Sequence, residues 1–129
     1  MEYDEFRKRN IVKFTLDPRR FRILKLEEVP EFSDDILSVI KDRNEVTVIA
    51  SDGADMRALA EEKYFRLVTF DLALPFNLTG FLSFITAALA KAKVPVFVIS
   101  SYSTDHLLIR EQSLSKALSA LQENGIKQS

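Results

Sequence analysis

The chain has 129 residues, 47% of them hydrophobic and 29% charged, which is the composition of a globular protein with one domain or two small ones. Its 18 basic and 19 acidic residues give a net charge of −1, which excludes a protein dedicated to coating nucleic acid. The absence of cysteine excludes disulfides, thiolate catalysis and cysteine-ligated zinc. The single histidine excludes a multi-histidine metal cluster within one chain, and three glycines leave no GxGxxG or Walker-type phosphate loop.

The first 25 residues are more basic than the rest of the chain. They hold eight Lys or Arg against four Asp or Glu. This excess indicates either a patch for an acidic partner or, more ordinarily, a solvated and partly frayed terminus. No apolar stretch follows the charged N-terminus as in a signal peptide, and no apolar run approaches the ~18 residues that cross a membrane. We therefore expect a cytoplasmic protein that binds neither membranes nor nucleic acid.

The first half of the chain predicts short strands and one helix. Asp17-Pro18 is expected to interrupt the strands, because proline lacks the backbone donor and restricts the residue before it. Residues 31–43 fit a helix or a strand, and the short polar gap at 42–44 favours a hairpin. The helix-forming composition of 54–62 (ADMRALAEE) predicts a helix. The predicted strands are 11–16, 21–26, 36–41 and 46–50.

The second half predicts a β-α-β-β-α order, most of a split βαβ unit. Its elements are a strand at 65–73, a helix at 78–92, strands at 94–101 and 105–110, and a helix at 112–124. Asn77 is the predicted N-cap of the first helix, and Gly125 follows the second as a stop signal. The almost wholly apolar run at 94–101 is typical of a central strand covered on both faces or of a strand at a domain interface. The two halves look like diverged copies of one α+β motif, interlocked if strand 11–16 completes the sheet of the second copy.

Few residues indicate catalysis. Asp105 and His106 are neighbours on a predicted strand, so their side chains point to opposite faces, which suits a base and its orienting acid poorly. The adjacent carboxylate pairs Glu27-Glu28, Asp34-Asp35 and Glu61-Glu62 are typical of solvated charge. We expect neither a catalytic group nor a metal ligand among them.

Two segments could instead bind an amino acid. The stretch 74–80 (LPFNLTG) leads from a strand into a helix, whose free N–H groups and dipole suit a carboxylate. The stretch 100–105 (SSYSTD) supplies hydroxyls and one anion, which suits an ammonium group. The alternative is an ordinary helix cap and a hydroxyl-rich turn, and the residues alone leave both open.

Residues 74–121 resemble the ACT domains of the aspartate-kinase-like and CASTOR-type arginine-sensor group. The family pattern P-F-x-L-x-G is matched by Pro75, Phe76, Leu78 and Gly80. The pattern A-x-x-P-x-F-x-x-S-T-Y-x-T-D, which follows, is matched at Ala92, Pro95, Phe97, Ser100, Tyr102, Thr104 and Asp105. Ser101 replaces the family's threonine, and His106 stands where an aromatic residue often follows the aspartate. Upstream, FRILKLEEVP and LSVIKDRNEVTVIAS look like the first half of small stand-alone family members that hold two such units in tandem.

The resemblance implies an α+β, ferredoxin-like βαββαβ fold repeated in two ACT-like units, at 11–63 and 64–129. It implies regulation through a small amino acid or related metabolite bound between units, with no cofactor and no enzyme activity. A homodimer is expected because the units are small and expose sheet edges. The ligand-binding residues carried over from the family are Phe76, Asn77, Leu78, Thr79, Gly80, Ser100, Ser101, Tyr102, Ser103, Thr104 and Asp105.

Three alternatives remain open at this stage. The chain could be a protein-interaction module of the same fold that has lost its ligand, with a protein partner that the sequence does not name. It could be a small enzyme on a ferredoxin-like fold that uses His106. It could bind RNA through its basic N-terminal part, although Phe6, Phe14 and Phe21 are expected in the core rather than stacked on bases.

Overall fold

A computed structural model describes the whole chain, from Met1 to Ser129, as three α-helices and seven strands. The elements in chain order are α1 (Tyr3–Arg9), β1 (Lys13–Leu26), β2 (Ile36–Lys41), β3 (Val46–Ser51), β4 (Ala60–Phe70), α2 (Phe81–Lys91), β5 (Phe97–Ser100), β6 (Asp105–Arg110), a 3-10 turn (Glu111–Ser113), α3 (Leu114–Glu123) and β7 (Lys127–Gln128).

The elements divide into two compact units. Unit 1 comprises residues 1–17 and 66–129, and unit 2 comprises residues 18–65. Both divisions fall inside strands, between Asp17 and Pro18 in β1 and between Phe65 and Arg66 in β4. Residues 11–17, which the sequence analysis grouped with the first repeat, lie here in unit 1.

Unit 1 has the α+β, ferredoxin-like order predicted from the sequence. From β4 onward the chain runs β4-α2-β5-β6-α3-β7, and β6 lies between β4 and β5 as a split βαβ unit requires. The N-terminal part of β1 lies next to β4, and the short β7 pairs with it in parallel, Lys13 opposite Lys127 and Phe14 opposite Gln128. A strand segment from the start of the chain therefore completes this sheet, as expected for residues 11–16.

The core of unit 1 lies between its strands and helices. Phe70 packs edge-on against Phe81, with ring centroids 5.1 Å apart, and α3 packs against α2 and β6. Such a contact joins the sheet to the first turn of α2 and fixes where that helix begins. The buried residues of this cluster are Tyr3, Phe6, Val12, Phe14, Val68, Phe70, Phe81, Ile85, Leu89, Val94, Leu107, Ile109, Ala117, Ala120, Leu121 and Ile126.

Unit 2 consists of strands and connecting segments only. Its strand order is β2-β3-β1-β4, and β3 pairs antiparallel with both β2 and β1. The predicted hairpin at 36–50 is confirmed, with Asp42 accepting the backbone N–H groups of Asn44 and Glu45 through its side chain. Its smaller core contains Leu24, Leu26, Val46, Val48, Ala50 and Ala54.

The helix predicted at 54–62 is wrong. Residues 54–58 are irregular, and β4 begins at Ala60. Tertiary contacts replace the helical hydrogen bonds, because the Arg22 guanidinium donates to the carbonyls of Ala54 (2.6 Å) and Met56 (3.4 Å). The N–H of Leu59 donates to the carbonyl of Lys25. The composition of this segment favours a helix, but the burial of Ala54 and the hydrogen bonds to these partners stabilise an irregular conformation instead.

The expectations for the N-terminal part need correction in two places. The terminus is not frayed, since α1 buries Tyr3 and Phe6 in the core of unit 1. Asp17-Pro18 does not break the strand, because the φ of proline is compatible with extended backbone and its pairing with β3 starts only at Phe21.

Two details around α2 also differ from expectation. Asn77 is not the N-cap, because the helix begins at Phe81 and Gly80, with φ +95°, precedes it. The apolar run at 94–101 is not a central strand, since β5 covers only 97–100 and lies at the end of the strand order. Val94 is buried in the core although it lies before the strand. Val98, which lies within the strand, is 36% exposed.

Candidate functional site

A cavity of about 310 Å³ lies in unit 1 between the loop 74–80 and the β5–β6 turn. The N–H of Leu74 donates to the carbonyl of Ser103 (2.8 Å) and ties the two walls together. Nine of the eleven residues expected from the sequence line this cavity: Phe76, Leu78, Gly80, Ser100, Ser101, Tyr102, Ser103, Thr104 and Asp105.

The other two expected residues, Asn77 and Thr79, do not line the cavity. Their backbones face the N-terminal segment instead: the Asn77 carbonyl accepts from the amino group of Met1 (3.2 Å), and the Thr79 N–H donates to the Met1 carbonyl (2.8 Å). From Phe76 to Gly80 the loop thus alternates between residues that line the cavity and residues whose backbones bond to the N-terminal segment.

Five further lining residues were missed by the sequence analysis: Leu74, Pro75, Phe81, Leu82 and Ser83. Leu74 and Pro75 lie in the candidate stretch 74–80, and Pro75 opens the recognised motif, but neither was among the residues carried over as ligand-binding. The other three form the first turn of α2. The helix was predicted to start three residues earlier, at 78, which placed 81–83 inside it rather than at its N-terminus. A correct helix start would have found them.

The N-terminus of α2 supplies the donors of the site. The N–H groups of the first turn have no acceptor within the helix, since the N–H of Phe84 is the one that bonds to Gly80. No side chain caps this end, and its first turn contains no acidic residue. The partial positive charge of the helix end is therefore available to an anionic group in the cavity.

The β5–β6 turn supplies the acceptors. The N–H and Oγ of Ser101 both donate to the carbonyl of Thr104, at 2.9 and 3.1 Å, which closes the turn. The Oγ of Ser100 donates to Oδ1 of Asp105 at 2.5 Å. Asp105 is the one charged residue that lines the cavity.

The aromatic rings of Phe76 and Tyr102 lie at the cavity and come from opposite walls. Their centroids are 4.8 Å apart at an interplanar angle of 81°, an edge-to-face pair. Phe76 is 78% and Tyr102 83% exposed, an unusual state for two large rings in contact. Exposed apolar area of this kind is typical of a binding surface when it borders a cavity.

His106 supports the turn from behind. Its Nδ1 lies 2.9 Å from the Thr69 hydroxyl, and its Nε2 lies 3.5 Å from Oγ of Ser101. Burial lowers the pKa of His106 below its ordinary value, and the nearby Asp105 carboxylate offsets part of that shift. Through these two contacts the imidazole joins β4 to the turn. The hydroxyl proton of Ser101 is directed at the carbonyl of Thr104 and not at the histidine.

The comparison with protein families gives a match over this part of the chain. Residues 60–123 match the model of the ACT domain, and the match contains the loop 74–80, α2 and the β5–β6 turn. This chain contains an ACT domain. Among curated proteins no sequence matches the chain.

Solved structures share the fold of this ACT protein. A crystal structure of a protein from Agobacterium tumefaciens has a TM-score of 0.81 at 19% identity, covering 93% of each chain. The ligand-free regulatory subunit of aspartate kinase from Thermus thermophilus has a TM-score of 0.63 at 11% identity, covering 88% of this chain and 97% of that one. A C-terminal regulatory domain of aspartate kinase from Porphyromonas gingivalis, described as putative, has a TM-score of 0.60 at 13% identity, over 89% and 97%.

These similarities establish the ACT fold and place the chain beside aspartate kinase regulatory domains in architecture. At such identities they carry no ligand and no partner from one protein to another. None of the helices has the length and hydropathy to cross a bilayer.

Proposed function

We propose that this chain is a non-catalytic regulatory protein that binds a small amino acid in the cavity between loop 74–80 and the β5–β6 turn. The observation that carries the proposal is that one wall of the cavity has a partial positive charge and the other wall has a negative charge. The first turn of α2 offers N–H donors, and Asp105 offers a carboxylate oxygen. A zwitterionic amino acid needs both, one for its carboxylate and one for its ammonium group.

The size and lining of the cavity agree with a small ligand. A volume of about 310 Å³ lies at the lower end of the range for small-molecule sites. Leu74, Leu78 and Phe81 supply apolar surface for a side chain. Asp105 is the only charged lining residue, so a ligand with a second carboxylate would find no cation to pair with it.

The exposed pair Phe76–Tyr102 supports a homodimer as the working form. Two exposed rings beside a cavity bury apolar area when a second copy covers them, and symmetric pairing is the commonest assembly of small proteins. Ligand binding would then act by population shift, because a ligand that contacts both copies favours one arrangement of the pair. A cytoplasmic location and the absence of a membrane or nucleic-acid partner remain expectations from the sequence.

The first test is a thermal-shift screen with each common L-amino acid. A ligand at a hundred times its dissociation constant adds about 2.7 kcal/mol of stability, several degrees in Tm for a chain of this size. One strongly stabilising amino acid supports the proposal and identifies its ligand. No shift at millimolar concentration contradicts it and favours the interaction module that has lost its ligand.

A pair of variants then locates the site. Asp105→Asn removes the charge that would hold the ammonium group and should weaken binding about ten-fold or more. The matched control is Glu123→Gln, which removes an exposed carboxylate at the end of α3, outside the cavity lining, and should leave binding unchanged. Equal affinities of Asp105→Asn and the unmodified chain would remove the cavity from consideration.

A further inference from the structure

The loop that forms one wall of the cavity is held from behind by the N-terminal segment. The N–H of Tyr3 donates to the carbonyl of Thr79, and the N–H of Thr79 donates to the carbonyl of Met1, both at 2.8 Å. Glu2 and Thr79 thus form a short parallel β-bridge. The neighbours of Thr79 in the chain, Leu78 and Gly80, both line the cavity.

Side chains reinforce this backbone pairing. Tyr3 is only 4% exposed, and its ring contacts Phe81 edge-on at 5.2 Å and Phe84 at 5.1 Å. Phe81 itself lines the cavity, so one ring separates Tyr3 from the bound ligand proposed above. The guanidinium of Arg7 lies 5.1 Å from the centroid of Phe84 and adds a cation–π contact on the outer side.

The loop has little structure of its own to replace these contacts. Within 74–80 one turn hydrogen bond, from the N–H of Leu78 to the carbonyl of Pro75, is present. No side chain caps α2, and Gly80 occupies a left-handed conformation that other residues rarely adopt. Without the N-terminal segment, both backbone groups of Thr79 would lose their partners.

We infer that residues 1–9 form a strap whose docking on the loop is coupled to occupation of the cavity. The strap fixes the positions of Leu78, Gly80 and Phe81, which would contact the ligand. A ligand bound there stabilises the same loop conformation, and by linkage it tightens the strap as much as the strap tightens the ligand. The inference rests on the proposed function, and it assigns to α1 the role of reporting whether the cavity is filled.

The strap is tested first without ligand, by hydrogen exchange on the full chain. Tyr3→Ala removes the ring that anchors the strap and should speed exchange of the Thr79 amide ten-fold or more. Lys8→Ala, an exposed position on the same helix, is the matched control and should leave it unchanged. The Val94 amide, which bonds to Leu89, serves as an internal reference for general loosening of unit 1. Exchange at Thr79 that Tyr3→Ala does not change overturns the inference.

A covalent lock keeps the test independent of any loss of folding in Tyr3→Ala. The chain has no cysteine, so the pair Glu2→Cys and Thr79→Cys forms a unique disulfide across the β-bridge. Amide hydrogen exchange at Leu78 and Gly80 should be slower in the oxidised form. The control is the same protein reduced with dithiothreitol. Identical exchange in the two forms contradicts a strap that orders the loop.

The same pair measures the coupling by calorimetric titration with each common L-amino acid. The oxidised form should bind the stabilising amino acid about five-fold or more tightly than the reduced form. Equal affinity overturns the coupling, even if the proposed function stands. If no amino acid binds either form, the proposed function fails, whereas the strap is still decided by the exchange rates.

Discussion

Units 1 and 2 are both built on antiparallel strands, but they cover their sheets in different ways. Unit 1 places α2 and α3 over a core rich in phenylalanine. Unit 2 has no helix, and the irregular segment 54–58 packs on a smaller aliphatic cluster. The candidate site follows from that difference. A strand-to-helix connection supplies free N–H groups at the cavity of unit 1, whereas the connection from β3 to β4 in unit 2 leads into no helix.

The comparison also shows how each unit satisfies its backbone. In unit 1 the helices pair their own N–H and C=O groups. In unit 2 the covering segment is held by a few backbone bonds, such as that from the N–H of Ala54 to the carbonyl of Ser51, and by Arg22. The Arg22 guanidinium donates to two carbonyls of the segment and to the carboxylate of Glu61 at 3.1 Å. A cover without the regular hydrogen bonds of a helix, in which one long side chain satisfies two carbonyls, should be easier to loosen than a helix.

The largest expected difference is between two leucine truncations. Leu107→Ala in β6 opens a cavity beneath helices and should cost about 4 kcal/mol of unfolding free energy. Leu24→Ala in β1 lies under the irregular segment, which can collapse into the space, and should cost about 2 kcal/mol. Urea unfolding followed by circular dichroism measures both. Equal costs would contradict a softer cover over unit 2.

The next prediction concerns the cover of unit 2 itself. Arg22→Met keeps much of the buried stem but leaves the carbonyls of Ala54 and Met56 without their donor. We expect a loss of about 2 kcal/mol of unfolding free energy and faster exchange of the Leu59 amide. Arg57→Met, at an exposed position of the same segment, is the control and should change stability by less than about 0.5 kcal/mol. Similar losses in the two variants would remove Arg22 as the special support.

A smaller difference in stability is expected between alanine substitutions at Gly80 in unit 1 and Gly53 in unit 2. Gly80→Ala forces a left-handed conformation on alanine at the start of α2, although the added Cβ would meet Tyr3 only at an ordinary 3.9 Å. The expected cost is about 1 kcal/mol of unfolding free energy. Gly53→Ala has no such backbone requirement and ordinary contacts, so it should be neutral or stabilise by about 0.5 kcal/mol. Thermal unfolding of the two variants side by side checks the sign of each.

The sequence predicted unit 1 better than unit 2, for a physical reason. Period and composition identify α2 and α3, because each forms mainly local contacts. The polar gap at 42–44 favoured the hairpin at 36–50, and the family resemblance supported it. The motif around Phe76 and Tyr102 then placed nine of its residues at one cavity. Local sequence signals are sufficient to predict an element that forms its backbone hydrogen bonds within itself.

The misses share the opposite property. Residues 54–62 have helical composition, yet the partners that prevent a helix, Arg22 and Lys25, lie far away in the chain. The N-terminal segment shows charge in its sequence, but the bridge between Glu2 and Thr79 is a contact over 77 positions. No window of neighbouring residues contains such information, so the strap behind the cavity could only be found in the structure.

The smallest expected effect is a pH dependence that belongs to unit 1 alone, because His106 is the one histidine of the chain. Burial, partly offset by Asp105, lowers the pKa of His106 in the folded state below its ordinary value of 6.5. The unfolded chain therefore binds the proton more readily, and stability that is complete above the unfolded pKa falls as the pH drops below it. His106→Gln should flatten the decline in Tm between neutral pH and the onset of carboxylate titration. Thr69→Val, which removes the hydroxyl beside Nδ1 but keeps the imidazole, is the control and should retain a slope. A His106→Gln variant with an unchanged slope would assign that pH dependence to carboxylates and remove the histidine as the titrating support of the β5–β6 turn.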